Sequence, residues 1–89
     1  MNAIVTVVGR DRVGIIAAIC NKLAGFNVNI LDISQTILQG SFTMVMAVDV
    51  GAATASFGDL SAALSDLGSE MGPSIRIQRE EIFNSMHTI

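Results

Sequence analysis

The chain has 89 residues with a hydrophobic share of 51%, four Phe and no Trp or Tyr, so it is read as one domain over residues 1–89 with an aliphatic core. Domains of this size bury only about 60–65% of their unfolded surface. Eight acidic against five basic side chains give a net charge of −3, which argues against a nucleic-acid partner, since that needs a clustered basic surface.

Residues 2–8, NAIVTVV, are β-branched and almost wholly apolar, which predicts a central strand with Thr6 its one interior polar residue. A polar loop over residues 9–14 follows, in which Asp11 is the expected helix N-cap. Ile16, Ile19, Cys20 and Leu23 recur at helical spacing over residues 14–24, with Gly25 as the expected stop. Residues 26–38 predict a long strand whose apolar phase slips near Leu31, as a β-bulge would produce. Gln39-Gly40 is a tight turn, and residues 42–50 return as a strand with Phe42, Met44, Met46 and Val48 on one face. Ser56 with Asp59 resembles a capping box. Phe57, Leu60, Leu64, Leu67 and Met71 then mark a second amphipathic helix, ended by Gly72-Pro73. Residues 74–80 alternate cleanly, with Ile75 and Ile77 inward, which suits an edge or a strand with one wet face. Ile82, Phe83, Met86 and Ile89 suggest a short C-terminal helix or a packed tail.

The order βαββαβ with a hairpin in the middle is that of the ferredoxin-like sandwich, an α+β fold with both helices on one face of an antiparallel sheet. The first and third strands become central. The second sheet face, around Val45 and Ala47, has no helix of its own, so a second subunit, the terminal helix or both are expected to cover it. A homo-oligomer follows, with a dimer preferred because two-fold closure is the commonest arrangement.

The chemistry is that of binding. A strand ending in a polar loop that opens a helix presents backbone N–H groups and a partial positive charge suited to a small anion. Asn27 and Asn29 then bring amide groups to the rim expected of the same site. Gly9 and Gly14 have the spacing of a phosphate loop, but Ile15 and Ile16 stand where Lys and Ser or Thr are required. Cys20 has no activating base nearby in sequence, and the lone His87 has no metal-ligating company, so no catalytic residue, metal or cofactor is expected. A single cysteine forms no internal disulfide. No leader pattern and no apolar run of the ~20 residues a membrane helix needs is visible, so a cytoplasmic setting without membrane contact is expected.

The segment VTVVGRDRVGIIAAICNKLAGFNVNILDISQ resembles the opening of an ACT domain: a strand, Asp-x-x-Gly, a helix ending in Leu, then Asn-Ile. Asp11, Gly14, Leu23, Asn29 and Ile30 occupy those positions, and Val13 stands where Pro or Ser is common. With DISQ at 32–35, FTM at 42–44 and the tail IFNSMHTI, the chain is similar over its full length to the stand-alone ACT proteins of the UPF0237 family. The resemblance implies pairing, often by side-by-side sheets, and a non-enzymatic regulatory role. It also implies an amino acid bound at a subunit interface by Asp11, Arg12, Val13 and Gly14 of one chain and Asn27, Asn29 and Ile30 of another. Any regulated enzyme would be a separate molecule. The alternative is an interaction module that binds no ligand. An acylphosphatase-type loop, a Cys-x-x-Cys metal carrier and an RNA-binding sheet all lack their residues here.

Overall fold

The structure, a computed structural model, describes residues 2–10 and 14–80. Six elements follow one another: β1 (Asn2–Arg10), α1 (Ile15–Gly25), β2 (Asn29–Leu38), β3 (Ser41–Asp49), α2 (Phe57–Met71) and β4 (Ser74–Arg79). The four strands form one sheet in the order β2-β3-β1-β4, and every pairing is antiparallel. This is the expected ferredoxin-like arrangement, with β1 and β3 central and β2 and β4 at the edges. The expected C-terminal helix over residues 81–89 lies outside the described residues.

One sheet face and the two helices enclose the core. Val5 and Val7 of β1, Met44 and Met46 of β3, and Ile75 and Ile77 of β4 lie under Ile15, Ile19 and Leu23 of α1 and Leu60, Leu64 and Leu67 of α2. Burying each of these large side chains contributes roughly 1.5–3 kcal/mol before conformational entropy is subtracted. The stripe of α1 keeps Ile19 and Leu23 of the sequence reading but is rotated toward Ile15 and away from Ile16 and Cys20. Ile15 is buried, whereas Ile16 and Cys20 are half-buried. The helix starts at Ile15, so residues at i, i+4 and i+8 centre on the sheet and Ile16 and Cys20 fall to its flank.

Both ends of α1 also differ from expectation. Its N-cap is Gly14, in the left-handed conformation at φ 84° and without a side-chain cap, rather than Asp11. At the other end Gly25 is the last helical residue, and the left-handed residue that closes the helix is Asn27, at φ 60°. Amides of Phe26 and Val28 donate to the Leu23 carbonyl at 3.1 and 3.0 Å, and Asn27 N–H donates to Ala24 at 3.0 Å. The backbone thus reverses over residues 26–28, and β2 begins three residues later than its composition suggests. Asn tolerates this left-handed position better than most residues because its short polar side chain bonds locally.

The remaining local signals hold. The register of β2 against β3 shifts between Ile30 and Asp32, the bulge expected near Leu31. Gln39 and Gly40 both have positive φ, 52° and 79°, the two-residue hairpin turn whose twist matches that of the strands. Ser56 caps α2, its hydroxyl accepting from Asp59 N–H at 3.1 Å. At the far end of α2 the backbones approach closely: a Cβ on Gly68 would lie 2.6 Å from the Pro73 carbonyl oxygen, and one on Gly9 would lie 2.7 Å from Pro73 Cα. Glycine at those two positions lets α2, the Pro73 turn and the end of β1 meet.

The large exposed apolar residues lie away from the centre of the second sheet face. Val45 and Ala47 on the second sheet face are half-buried, and Ile4 beside them is buried. Among the described residues, exposure of large apolar side chains concentrates on the edge strand β2, at Leu31 (50%), Ile33 (42%) and Ile37 (56%), with Val8 (49%) also open. Ile33 lies opposite Met46 and Ile37 opposite Phe42, so both share the helix-covered side of the sheet, yet the helices do not reach out to the edge.

Candidate functional site

The first part of the site is the exit from β1. Gly9 and Arg10 pair with Phe42 and Ser41, which puts this exit at the sheet end that carries the β2–β3 hairpin. Asp11, Arg12 and Val13 lie outside the described residues. Gly14 is exposed, its carbonyl accepts from Ala18 N–H at 2.9 Å, and a Cβ built on it would meet nothing within 4 Å. The space over Gly14 is therefore open. The N–H groups of Ile15, Ile16 and Ala17 belong to the first turn, where an α-helix supplies no carbonyl four residues back. An exposed glycine and the positive end of an 11-residue helix suit a small carboxylate.

The second part lies elsewhere. Asn29 pairs with Asp49, which also pairs with Asn2, so Asn29 sits at the sheet end where β1 begins. From Asn2 to Gly9 the strand advances seven residues, about 24 Å at 3.4 Å per residue. Within one protomer Gly14 and Asn29 are thus at opposite ends of the sheet. The single-chain rim expected from their closeness in sequence does not form. β1 runs up the sheet and α1 runs back down, so the chain is again at the end where β1 began when β2 starts at Asn29.

The residues of this second group have different surroundings. Asn27 is held structurally: its Nδ2 donates to the Ala52 carbonyl at 2.9 Å, while Thr54 N–H donates to Phe26 at 2.9 Å, stitching the α1–β2 turn to the β3–α2 loop. Asn29 is exposed, and Ile30 is half-buried against the core. Next to them the Gly51 amide donates to Asp49 Oδ1 at 2.9 Å and holds that carboxyl below the usual carboxylate range.

No polar or charged side chain among the described residues is buried, and none of their His, Cys, Asp or Glu residues form a group of three that could hold a metal ion. Cys20 is a half-buried free thiol on the flank of α1. An open groove of about 390 Å³ runs between α2 and β4, lined by Ser61, Ser65, Ser74 and Arg76 among others. The sequence reading missed the exposed edge of β2. Its signal was present in the run Asn29–Leu38, which holds five large aliphatic residues and no Lys, Arg or Pro.

Residues 2–78 match the ACT domain family. The chain is an ACT domain of the UPF0237 group. A UPF0237 protein of Bifidobacterium longum is 56% identical over 87 residues, covering 98% of this chain and 97% of its own length. An ACT domain protein from Streptococcus pneumoniae is 40% identical and superimposes with a TM-score of 0.81 over 93% of both chains. The regulatory subunit of aspartate kinase from Thermus thermophilus shares the fold, with a TM-score of 0.66 at 20% identity over 86% of this chain and 50% of that one. ACT domains are commonly regulatory ligand-binding domains, and they generally dimerise. Among the described residues, no helix of this ACT domain is long and apolar enough to cross a membrane.

Proposed function

We propose that this ACT domain is a non-enzymatic regulatory module that binds an amino acid between two copies of itself. One copy contributes the helix start at Gly14, with Asp11, Arg12 and Val13 beside it, and the other contributes Asn29 and Ile30. Asn27 serves as the brace behind them. The observation that carries this reading is the separation of Gly14 and Asn29 across the length of the sheet. The carboxylate-seating element and the nearest exposed side-chain amide of the motif meet only when a second copy runs in the opposite direction. The free carboxylate of the ligand sits at the N–H groups of α1, and its polar groups meet Asn29 from the partner. Binding at such a junction stabilises the pair over the separate chains, which is the means by which a small module reports an amino-acid level to a separate enzyme.

The test is a melting-temperature screen against the twenty amino acids. At least one raises the melting temperature, and Asn29→Ala abolishes that rise while the free variant stays folded and keeps its mass in solution. Asn29 is exposed, so its replacement leaves the core intact. A screen with no rise for any amino acid sinks the ligand reading and favours the interaction module, for which the exposed β2 edge is the supporting feature.

A further inference from the structure

The two faces of the sheet are buried by different means. α1 and α2 cover the side that carries Val5, Val7, Met44 and Met46, and among the described residues no helix lies on the other side. That other side is nevertheless open only in part. Ile4, at 9%, is as well buried as Leu67 of the core, whereas Val8, on the same strand and the same face, is exposed at 49%. Ala47 and Val45, which pair with Ile4 and Thr6, are half-buried. Neighbours within the sheet do not make the difference: Gln78 and Ala47 flank Ile4, and Ser74 and Thr43 flank Val8. A side chain on a sheet face loses its water when another layer packs over it. A layer therefore lies over the Ile4 end and not over the Val8 end.

The chain itself leads to that place. β4 ends at Arg79 opposite Ala3, next to the Gln78–Ile4 pair, and Glu80 already has helical backbone. In residues 81–89, Ile82, Phe83, Met86 and Ile89 fall on one helical stripe, and the polar residues fall off it. We propose that residues 81–89 continue helically from Glu80 and lay this stripe over Ile4, Val45 and Ala47 of their own chain, as an amphipathic cover for the second sheet face.

Length accounts for the gradient. From position 82 to position 89 a helix rises about 10 Å. Val8 lies four residues beyond Ile4 along β1, about 14 Å at 3.4 Å per residue, out of reach of such a helix. A second copy packed face to face would cover Val8 as readily as Ile4. Residue 1 is one side chain, and residues 11–13 leave β1 beyond the open Val8 end, so neither supplies a cover of this extent. The cover is independent of any ligand, and it closes the face around Val45 and Ala47 to a second subunit.

Thiol accessibility in the full-length chain tests this. In a Cys20→Ser background, Ala47→Cys is expected to react with a soluble disulfide reagent at least about tenfold more slowly than Thr43→Cys, which lies on the same face at the open end. Adding Phe83→Ser with Met86→Ser is expected to remove that protection while the circular dichroism stays that of the folded chain. Co-refolding the Ala47→Cys chain with an excess of a cysteine-free chain that carries both serines is expected to leave the thiol protected, because its cover is its own. The chain has no Trp or Tyr, so Phe83→Trp adds a clean second probe. Its emission is expected to be blue-shifted and weakly quenched by acrylamide relative to the same chain in urea. Equal reactivity at positions 47 and 43 overturns the proposal, as does protection that survives the two serines, which points to a second subunit as the cover. Exposure on co-refolding overturns it in favour of a tail exchanged between copies. Should the serine variant not fold, urea-like emission from the Phe83→Trp chain overturns it independently.

Discussion

At the scale of single residues, glycine and asparagine do what their chemistry permits at left-handed backbone positions. Gly14, at φ 84°, has open space where a side chain would go, so the obstacle to replacement is the dihedral and not a neighbour. A left-handed L-residue costs roughly 1–2 kcal/mol, and Asn less because it bonds locally. Gly14→Ala is therefore expected to lower stability by about 1–2 kcal/mol in urea unfolding, and Gly14→Asn by less. Asp49 offers a pH-dependent counterpart. The Gly51 amide favours its charged form, so its folded pKa is depressed. The stability it contributes is present above the unfolded carboxylate range, near pH 4, and is lost as pH falls through the lower folded value. Asp49→Asn keeps an acceptor for Gly51 but no longer titrates. Melting curves between about pH 5 and 2.5 are expected to fall more steeply for the wild type than for the variant.

At the scale of elements, each helix start solves the same shortage of carbonyls differently. α2 uses Ser56, whose hydroxyl takes the Asp59 amide; Ser56→Ala is expected to cost about 0.5–2 kcal/mol in denaturant unfolding. The start of α1 has no side-chain cap at Gly14, which is exposed. Among the strands the contrast is between the edges. β4 is charged and bordered by α2, and β2 is apolar and open.

At the scale of the whole molecule, the described residues form a sheet with one helical layer and one open apolar edge, and the two-copy assembly proposed above would add to its burial. If folding and pairing are linked, the melting temperature depends on protein concentration. A tenfold increase is expected to raise it by about 3–5 °C, measured by calorimetry, and the Ile37→Lys chain is expected to lose that dependence.

Much of this was legible in the sequence because it is local. The alternation of residues 74–80, the helical spacing of Leu60, Leu64 and Leu67, the bulge at Leu31 and the turn at Gln39-Gly40 all rest on periodicities and dihedral preferences carried by neighbouring residues. So did the family, since the spacing from Asp11 to Ile30 and the tail are properties of the string. The ends of α1 were less legible, because Gly25 and Asn27 are both able to terminate a helix and the Ala52 carbonyl that holds Asn27 comes from a distant loop. The relative position of Gly14 and Asn29 was misread from the residues themselves, and only the family resemblance implied that they act from different chains. Sequence places them 15 residues apart, and only the alternating direction of β1, α1 and β2 sends them to opposite ends of the sheet. Tertiary structure likewise decided which apolar residues stay wet. Ile33 and Ile37 carry the same pattern as buried strand residues, and they are exposed because their strand is the outermost and the helices stop short of it.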